Sequence, residues 1–162
     1  MPFESGRRAG LIALAAFIGA TLSVYVVSGL VTSSSVGGWY QTLTRPSFNP
    51  PDWVFAPVWS ALYLMIAAAG WMAWRRTRNH QRRRVVTAWG LQLALNFLWS
   101  VLFFGLHWVG IALIDIVLLW AAILWTIVVF WPVERIAALL LIPYAAWVTF
   151  AIALNGAIWG LN

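Results

Sequence analysis

Long uncharged runs are the dominant pattern of this chain. No charged residue occurs in the ranges 9–44, 53–74, 85–114 or 136–162. A transmembrane helix needs about 20 mainly apolar residues, so each run is long enough to hold one. A fifth run, from Trp108 to Trp131, contains a single charge, Asp115. The pattern predicts an all-α integral membrane protein with one domain, residues 1–162, of five transmembrane helices over about 9–31, 53–74, 84–105, 108–131 and 134–160.

Four prolines mark the start of the second predicted helix, in the segment RPSFNPPDWVFAPVW of residues 45–59. With Asn49 as the helix cap, Pro50 would take the first helical position, where a missing N–H costs nothing. Asp52 would then place a negative charge at the positive helix end. Pro57 would lie inside the helix and bend its first turns.

The longest connection of the predicted bundle, residues 32–52, is unusually aromatic for a loop. It contains Trp39, Tyr40 and Phe48 together with Pro46. We expect it to fold over the bundle as a lid on a cavity, because aromatic side chains are rare in purely solvated loops. A rigid turn that binds no ligand is the alternative.

Composition and charge place this bundle in a membrane with a defined orientation. The chain of 162 residues is 63% hydrophobic and 9% charged, and its net charge of +6 includes ten arginines and no lysine. Nine arginines fall on the side of the N-terminus and one, Arg45, on the other, so we expect a cytoplasmic N-terminus. The six arginines between residues 75 and 84 are typical of a cytoplasmic loop; a nucleic-acid partner is the alternative that we do not expect.

Two further expectations concern metals and partner chains. The chain has no cysteine, and His80 and His107 are far apart in sequence, so we expect no metal and no cofactor. Small residues of the first helix offer a face for close helix packing, either within the bundle or in a homodimer: Ala16, Gly19, Ala20 and Ser23.

The thirteen tryptophans are too many for an interfacial belt alone. Trp59, Trp99, Trp120, Trp125 and Trp147 lie deeper in the predicted helices. Packing or lipid contact would explain each one singly, whereas a convergent group would form a wall suited to flat apolar ligands.

Candidate ligand contacts follow the helical spacing around these tryptophans. Gln92 and Asn96 lie among aromatic residues of the third helix, and buried amides in lipid face the bundle interior. Pro143 interrupts the fifth helix four residues before Trp147. The candidates are Trp39, Phe48, Pro50, Trp59, Tyr63, Gln92, Asn96, Trp99, Phe103, Pro143, Trp147, Ala151 and Leu154.

The order of these motifs resembles the tryptophan-rich sensory protein family, which includes the mitochondrial translocator protein, or peripheral benzodiazepine receptor. The similarity covers nearly the whole chain. It runs through Trp39-Tyr40, Arg45-Pro46, Asn49-Pro50-Pro51, Trp53-Val54-Phe55, Pro57, Trp59 and Leu62-Tyr63, then LQLALNFLWSVLFF, Asp115 and IPYAAWVTFAIALN.

This resemblance implies five transmembrane helices, a homodimer, and a ligand cavity beneath the first loop. It also implies binding of porphyrins such as protoporphyrin IX and of benzodiazepine-type and isoquinoline ligands. Some bacterial members are linked to light-dependent porphyrin degradation through two cavity tryptophans, which are similar in motif position to Trp59 and Trp147. Asn96 is similar to a cavity amide. We expect a bacterial member of the family in the cell membrane.

One family feature is missing. Some members bind sterols through a Tyr followed by Lys or Arg near the end of the fifth helix, where this chain reads ALNGAIWGLN. A formal match at Val36, Tyr40 and Arg45 falls in a loop, and such patterns are weak evidence. Sterol binding through the family site is therefore not expected here.

Three functions remain open from the sequence. The leading hypothesis is a receptor or carrier for porphyrins and similar planar apolar molecules. The second is an enzyme that degrades the porphyrin in light, with Trp59 and Trp147 as the candidate catalytic residues. The third is a small proton-coupled transporter, for which Asp115 is the one acid clearly inside a span; pairing of Asp115 with an interior amide or tyrosine is equally compatible with the sequence.

Overall fold

The computed structural model describes residues 2–77 and 79–162, with side chains from residue 8 onward except at residue 79. The Arg7 side chain and Arg78, both counted above for orientation, lie outside these described parts. Seven α-helices follow in order: α1 Pro2–Val36, α2 Trp39–Thr42, α3 Phe55–Arg76, α4 Asn79–Ser100, α5 Val109–Phe130, α6 Arg135–Leu140 and α7 Ile142–Leu161. A 3-10 turn, Asp52–Val54, precedes α3, and a π-helical segment, Val101–Gly105, continues α4.

Five helical segments of the described chain are long and apolar enough to cross a membrane, as the sequence predicts. They cover Arg8–Val36, Asp52–Arg76, His80–Gly105, Val109–Phe130 and Arg135–Leu161. The protein is therefore an all-α, multi-pass integral membrane protein. Helix α1 packs on α3, α4 packs on α5, and α5 packs on α7.

The two ends of the bundle are each tied together by polar contacts. At one end, Arg76 Nε lies 3.0 Å from Glu134 Oε2. At the same end, Trp71 Nε1 donates to the Gly10 carbonyl over 3.1 Å. At the other end, the Thr44 backbone N–H donates to Asn162 Oδ1 over 2.9 Å. The first connection and the C-terminus therefore share the end opposite to the arginine-rich connection.

The predicted cap of the second helix is wrong. Asn49 and Pro50 each precede a proline, and a residue before proline is pushed out of the helical region. The helical turn consequently starts later, at Asp52, and regular α3 starts at Phe55. Pro57 is the third residue of α3 and the sixth of the continuous helical segment Asp52–Arg76, so it lies within the helix, as predicted. It has no N–H to donate to the Trp53 carbonyl one turn earlier, where the 3-10 turn gives way to regular α-helix.

Pro143 does interrupt the last span, as predicted. Helix α6 ends at Leu140, and Leu141 forms a turn with a hydrogen bond from its N–H to the Ala138 carbonyl of 3.1 Å. Pro143 then occupies the first turn of α7, where it removes no helical hydrogen bond. The break lets α6 pack on α3 and α7 pack on α5.

The π-helical segment that ends α4 was not predicted. The Leu106 N–H donates to the Val101 carbonyl, five residues back, over 2.8 Å. The wider turn brings Phe103 and Phe104 into the interior together, where 2% and 8% of their surfaces are exposed. His107 then adopts a positive φ of 59°, which turns the chain sharply into α5.

The first connection packs against this same end of the bundle. Trp39 stacks on the His107 ring with a centroid distance of 4.0 Å and meets Phe103 edge-on at 5.7 Å. Ser35 Oγ donates to the Phe104 carbonyl over 2.5 Å. Aromatic packing, rather than solvation, explains the composition of this loop.

Candidate ligand-binding site

A chamber of about 420 Å³ lies between α1, α3 and α4, with α2 at one end. We call it the α1-side chamber. Helices α3 and α4 supply aromatic walls, and α1 supplies hydroxyl groups. Its wall includes Tyr25, Ser28, Thr32, Ser33, Tyr40, Asp52, Phe55, Trp59, Tyr63, Asn96, Trp99 and Phe104. Its volume lies within the range of small-molecule sites, about 300–1,000 Å³.

The hydroxyl groups of α1 form a stripe along its inward face. The stripe consists of Thr21, Tyr25, Ser28, Thr32 and Ser35, spaced alternately by four and three residues. Tyr25 Oη and Ser60 Oγ are hydrogen-bonded at 2.8 Å. Ser28 lines the chamber, and its buried Oγ has no hydrogen-bond partner among the described residues. The stripe therefore includes one hydroxyl without a partner in the chamber wall.

A buried hydrogen-bond network orients the amide of Asn96 in the chamber wall. The Tyr63 hydroxyl donates to Asn96 Oδ1, and Asn96 Nδ2 donates to the Tyr144 hydroxyl over 3.1 Å. All three side chains are buried, which confirms the inward orientation predicted for Asn96. Because both amide groups are engaged, Asn96 presents a fixed dipole to the chamber.

Gln92 is also buried, but its side chain does not contribute to the wall of the chamber. Its Nε2 donates to the Trp89 carbonyl of the preceding turn over 2.8 Å. Its Oε1 has no partner among the described residues, and Gln92 lines neither the chamber nor the cavity described next.

A second, much smaller space lies between α3, α4 and α7. This α7-side cavity has a volume of about 20 Å³. A water molecule requires at least about 10–15 Å³ on the same measure, so the cavity has room for about one water and for no ligand. Its wall includes Trp59, Trp99, Phe103, Trp147, Phe150, Ala151, Leu154 and Asn155.

Five aromatic side chains face both spaces and form the partition between them: Tyr40, Phe55, Trp59, Trp99 and Phe104. Trp59 is half-buried and its ring centroid lies 5.7 Å from that of Tyr63 and 6.3 Å from that of Tyr144. Phe55 meets Trp147 edge-on at 6.1 Å. These contacts are made by aromatic rings, so joining the chamber and the cavity would require Trp59 and Phe55 to rotate.

The sequence candidates divide between these spaces. Trp59, Tyr63, Asn96 and Trp99 line the chamber. Trp59 and Trp99 also line the cavity, together with Phe103, Trp147, Ala151 and Leu154. Pro50 lines an open polar cleft within the first connection, together with Leu43, Arg45, Pro46, Asn49, Pro51 and Asp52. Trp39, Phe48, Gln92 and Pro143 line none of these three spaces.

Sequence reasoning missed α1 as a wall of the site. Its apolar run carries no charge between Ala9 and Val36, so it was interpreted only as a span. The signal that could have found it is the 4–3 spacing of the hydroxyl stripe. The small-residue face of α1 points outward instead: Ala16, Gly19, Ala20 and Ser23 are exposed on the bundle surface. Its use for packing within the bundle is therefore not observed.

A polar cluster lies where the first connection meets the chamber. Gln41 Nε2 donates to Asp52 Oδ2 over 2.7 Å, and Arg45 Nη2 donates to Gln41 Oε1 over 3.0 Å. Arg45 Nη1 lies 3.4 Å from Asp52 Oδ1, and its guanidinium lies 5.4 Å from the centroid of the Tyr40 ring. Tyr40 donates to Asn49 Oδ1 over 2.7 Å. Burial raises the pKa of the Tyr40 phenol to about 12 from its ordinary 10.0, with smaller opposing effects of the neighbouring charges.

Asp115 lies on α5 and does not line the chamber. Only 5% of its surface is exposed, and its Oδ2 atom is buried without a hydrogen-bond partner among the described residues. Across the parts of the chain that the structure describes, no three His, Asp or Glu side chains lie close enough together to hold a metal ion.

Comparison with known proteins agrees with this architecture. Residues 16–160 match the model of the TspO/MBR family. The chain is 41% identical over 152 residues to the tryptophan-rich protein TspO of Archaeoglobus fulgidus, covering 94% of this chain and 98% of that protein. It is 40% identical over 152 residues to the translocator protein of Sus scrofa, covering 90% and 89% of the two chains. It is 39% identical over 129 residues to protein CrtK of Rhodobacter capsulatus, covering 79% and 81%.

The match to the family model extends from α1 into α7 and includes every helix that lines the two spaces. The chain belongs to the TspO/MBR family of membrane proteins.

Proposed function

We propose that this protein is a membrane receptor or carrier that binds porphyrins, such as protoporphyrin IX, and related planar apolar molecules. The observation that carries the proposal is the α1-side chamber, about 420 Å³ in volume and walled by flat aromatic rings. Rings of this kind favour stacked or edge-on contact with a planar ligand. The family resemblance adds the porphyrin class to this physical preference.

Different residues of the chamber wall would make different kinds of contact with a ligand. Trp59 and Trp99 offer ring surfaces, while Asn96, Ser28 and Tyr25 offer a few polar contacts that would orient the ligand. Trp147 would reach a ligand only after Trp59 and Phe55 move, because the partition stands between it and the chamber.

A second candidate function is light-dependent degradation of the bound porphyrin. The observation that favours it is the position of Trp59 in the chamber wall, next to Tyr63 and Tyr144. A tryptophan against an excited pigment can donate an electron, so the chemistry would belong to the ligand and to light. Trp59 and, after opening of the partition, Trp147 are the residues that such chemistry would use.

Purified protein mixed with protoporphyrin IX tests both candidates. A saturable change of the porphyrin spectrum in the dark is the result expected for binding. Bleaching in light that depends on the protein would add degradation, whereas a spectrum that stays unaltered in light would leave binding alone. The absence of any saturable dark change would contradict the proposed function.

We also propose an orientation and an assembly. Because nine of ten arginines lie on one side, the N-terminus and the arginine-rich connection would face the cytoplasm of a bacterial cell, with the lid on the opposite side. The exposed small-residue face of α1 would be available to a second copy in a homodimer. A C-terminal reporter that is active only in the cytoplasm would contradict the orientation. A single-copy mass in mild detergent would contradict the dimer.

A further inference from the structure

We infer that Arg45 is a specificity-determining residue that receives a carboxylate of the ligand at the mouth of the α1-side chamber. The inference rests on the proposed function and adds to it a ligand class: planar apolar molecules with an acidic edge. Arg45 and Asp52 are the only charged residues between Ala9 and Trp74, and they lie together at the lid end of the chamber.

The position of Arg45 and Asp52 determines which part of a bound ligand they would contact. Asp52 and Tyr40 both line the chamber. Arg45 lines the open polar cleft on the other side of Asp52 rather than the chamber itself; its Nη1 lies 3.4 Å from the Asp52 carboxylate and its guanidinium 5.4 Å from the centroid of the Tyr40 ring. A planar molecule with its apolar part against Trp59 and Trp99 would therefore direct its acidic edge to this end.

The contact between Arg45 and Asp52 is weak enough to be replaced. The 3.4 Å separation is long for a charge-assisted hydrogen bond, which is about 2.7–2.9 Å. The two side chains are 29% and 37% exposed, and ion pairs in such settings contribute little to stability. Asp52 also keeps a separate donor, Gln41 Nε2 at 2.7 Å, so it would remain hydrogen-bonded after Arg45 turns to a ligand.

Neighbouring residues hold the Arg45 side chain in position. Gln41 Oε1 accepts from its Nη2 over 3.0 Å, and the Tyr40 ring lies beneath its guanidinium. Gln41 is in turn anchored by a 2.9 Å bond from Nε2 to the Val36 carbonyl at the end of α1. A guanidinium has five N–H donors, so several remain for a carboxylate after these contacts.

The test compares protoporphyrin IX, which has two carboxylates, with its uncharged dimethyl ester. Affinity for both is measured in the dark on the full-length protein in detergent. The wild type should bind the diacid more tightly, and added salt should reduce this preference. Arg45→Gln should weaken diacid binding about fivefold and ester binding less than about twofold, since hydrogen bonds to charged groups are stronger than neutral ones.

Three further variants sharpen the comparison. Arg45→Lys retains the charge and should restore part of the preference for the diacid. Asp52→Asn removes the competing carboxylate and should tighten diacid binding about twofold to threefold, a modest change typical of an exposed charge. Arg83→Gln removes an exposed arginine at the opposite end of the bundle and should leave the diacid-to-ester ratio of affinities unchanged.

The outcomes separate this inference from the proposed function. If the wild type binds neither porphyrin, the proposed function fails. If the wild type binds both and Arg45→Gln weakens both equally, Arg45 only supports the lid, and the inference is overturned. Equal wild-type affinity for the diacid and the ester, with no salt dependence, would overturn it as well.

Discussion

The two spaces on either side of Trp59 share five wall residues yet differ about twentyfold in volume. The α1-side chamber is bounded on one side by serine, threonine and tyrosine hydroxyls, which leave room between α1 and the aromatic wall. The α7-side cavity is bounded by large aromatic and aliphatic side chains that fill it almost completely. The same partition therefore separates a space that can accept a ligand as it stands from one that requires side-chain movement.

The two spaces would differ in the free-energy cost of binding a ligand. A ligand that fits the open chamber would gain aromatic contact without first separating the rings of the partition. A ligand entering the cavity must first separate rings that already contact each other, such as Phe55 and Trp147 at 6.1 Å. Binding that uses Trp147 consequently costs more reorganisation than binding that uses Trp59.

The largest expected effect comes from filling the chamber. Ser28→Phe adds a ring to a residue that lines the chamber. We expect porphyrin affinity to fall more than about thirtyfold, which is more than about 2 kcal/mol. Titration of protoporphyrin IX in the dark measures this. Ser34→Phe, on the exposed face of the same helix, is the matched control and should bind normally.

Filling the α7-side cavity should lower the stability of the protein rather than its affinity for porphyrin. Ala151→Leu adds three carbon atoms to a wall of a space of about 20 Å³. Overpacking of this kind typically costs about 1–3 kcal/mol of stability. We expect a lower thermal midpoint in detergent, with porphyrin affinity of the folded protein nearly unchanged. Normal stability together with lost binding would mean that the ligand occupies the cavity instead.

The two tryptophans should also differ in their effects. Trp59→Phe removes part of the ring surface that lines the chamber, and we expect binding to weaken about fivefold to tenfold. Trp147→Phe, behind the partition, should weaken dark binding less than about twofold. Any light-driven bleaching should fall further in Trp59→Phe than binding does, because phenylalanine is a poor electron donor. Equal losses in the two variants would mean that the partition opens when the ligand binds.

The smallest effect concerns the lid at high pH. Since burial raises the pKa of Tyr40 from 10.0 to about 12, the folded state favours the neutral phenol. This contribution to stability is fully present below pH 10 and is lost as the pH rises from 10 through 12. The thermal midpoint should therefore fall less between pH 9.5 and pH 11.5 in Tyr40→Phe than in the wild type. An identical decrease in both proteins would contradict the assigned role of Tyr40.

Much of the fold could be predicted from the sequence because its signals are local. Uncharged runs longer than a bilayer is thick predict the five spans, and isolated amides such as Asn96 predict an interior face. The break before Pro143 follows from the missing N–H of proline. The cap at Asn49 was mispredicted because two consecutive prolines delay the helix, an effect that outweighs the preference of Asn for caps.

The site itself was only partly predictable. The sequence indicates that Trp59 and Trp147 lie deeper in their helices than the interfacial tryptophans, and both line the small cavity. Trp59 packs so that it divides the space and leaves the larger part beside α1. This packing depends on side-chain rotamers and on the π-helical segment that turns Phe103 and Phe104 inward. Neither feature has a local sequence signal, and the hydroxyl stripe is visible only when α1 is examined for polar rather than apolar periodicity.

Selective labelling of the two spaces can test directly whether a porphyrin binds on the α1 side of Trp59, as we propose. Because the chain has no cysteine, single cysteines can report on each space without background labelling. The measurement is the alkylation rate, by a small uncharged thiol reagent in the dark, of Ser28→Cys, Ala151→Cys and the exposed control Ser34→Cys, with and without saturating protoporphyrin IX. We expect porphyrin to slow the labelling of Ser28→Cys and to leave the other two rates unchanged. Protection of Ala151→Cys with no protection of Ser28→Cys would contradict it.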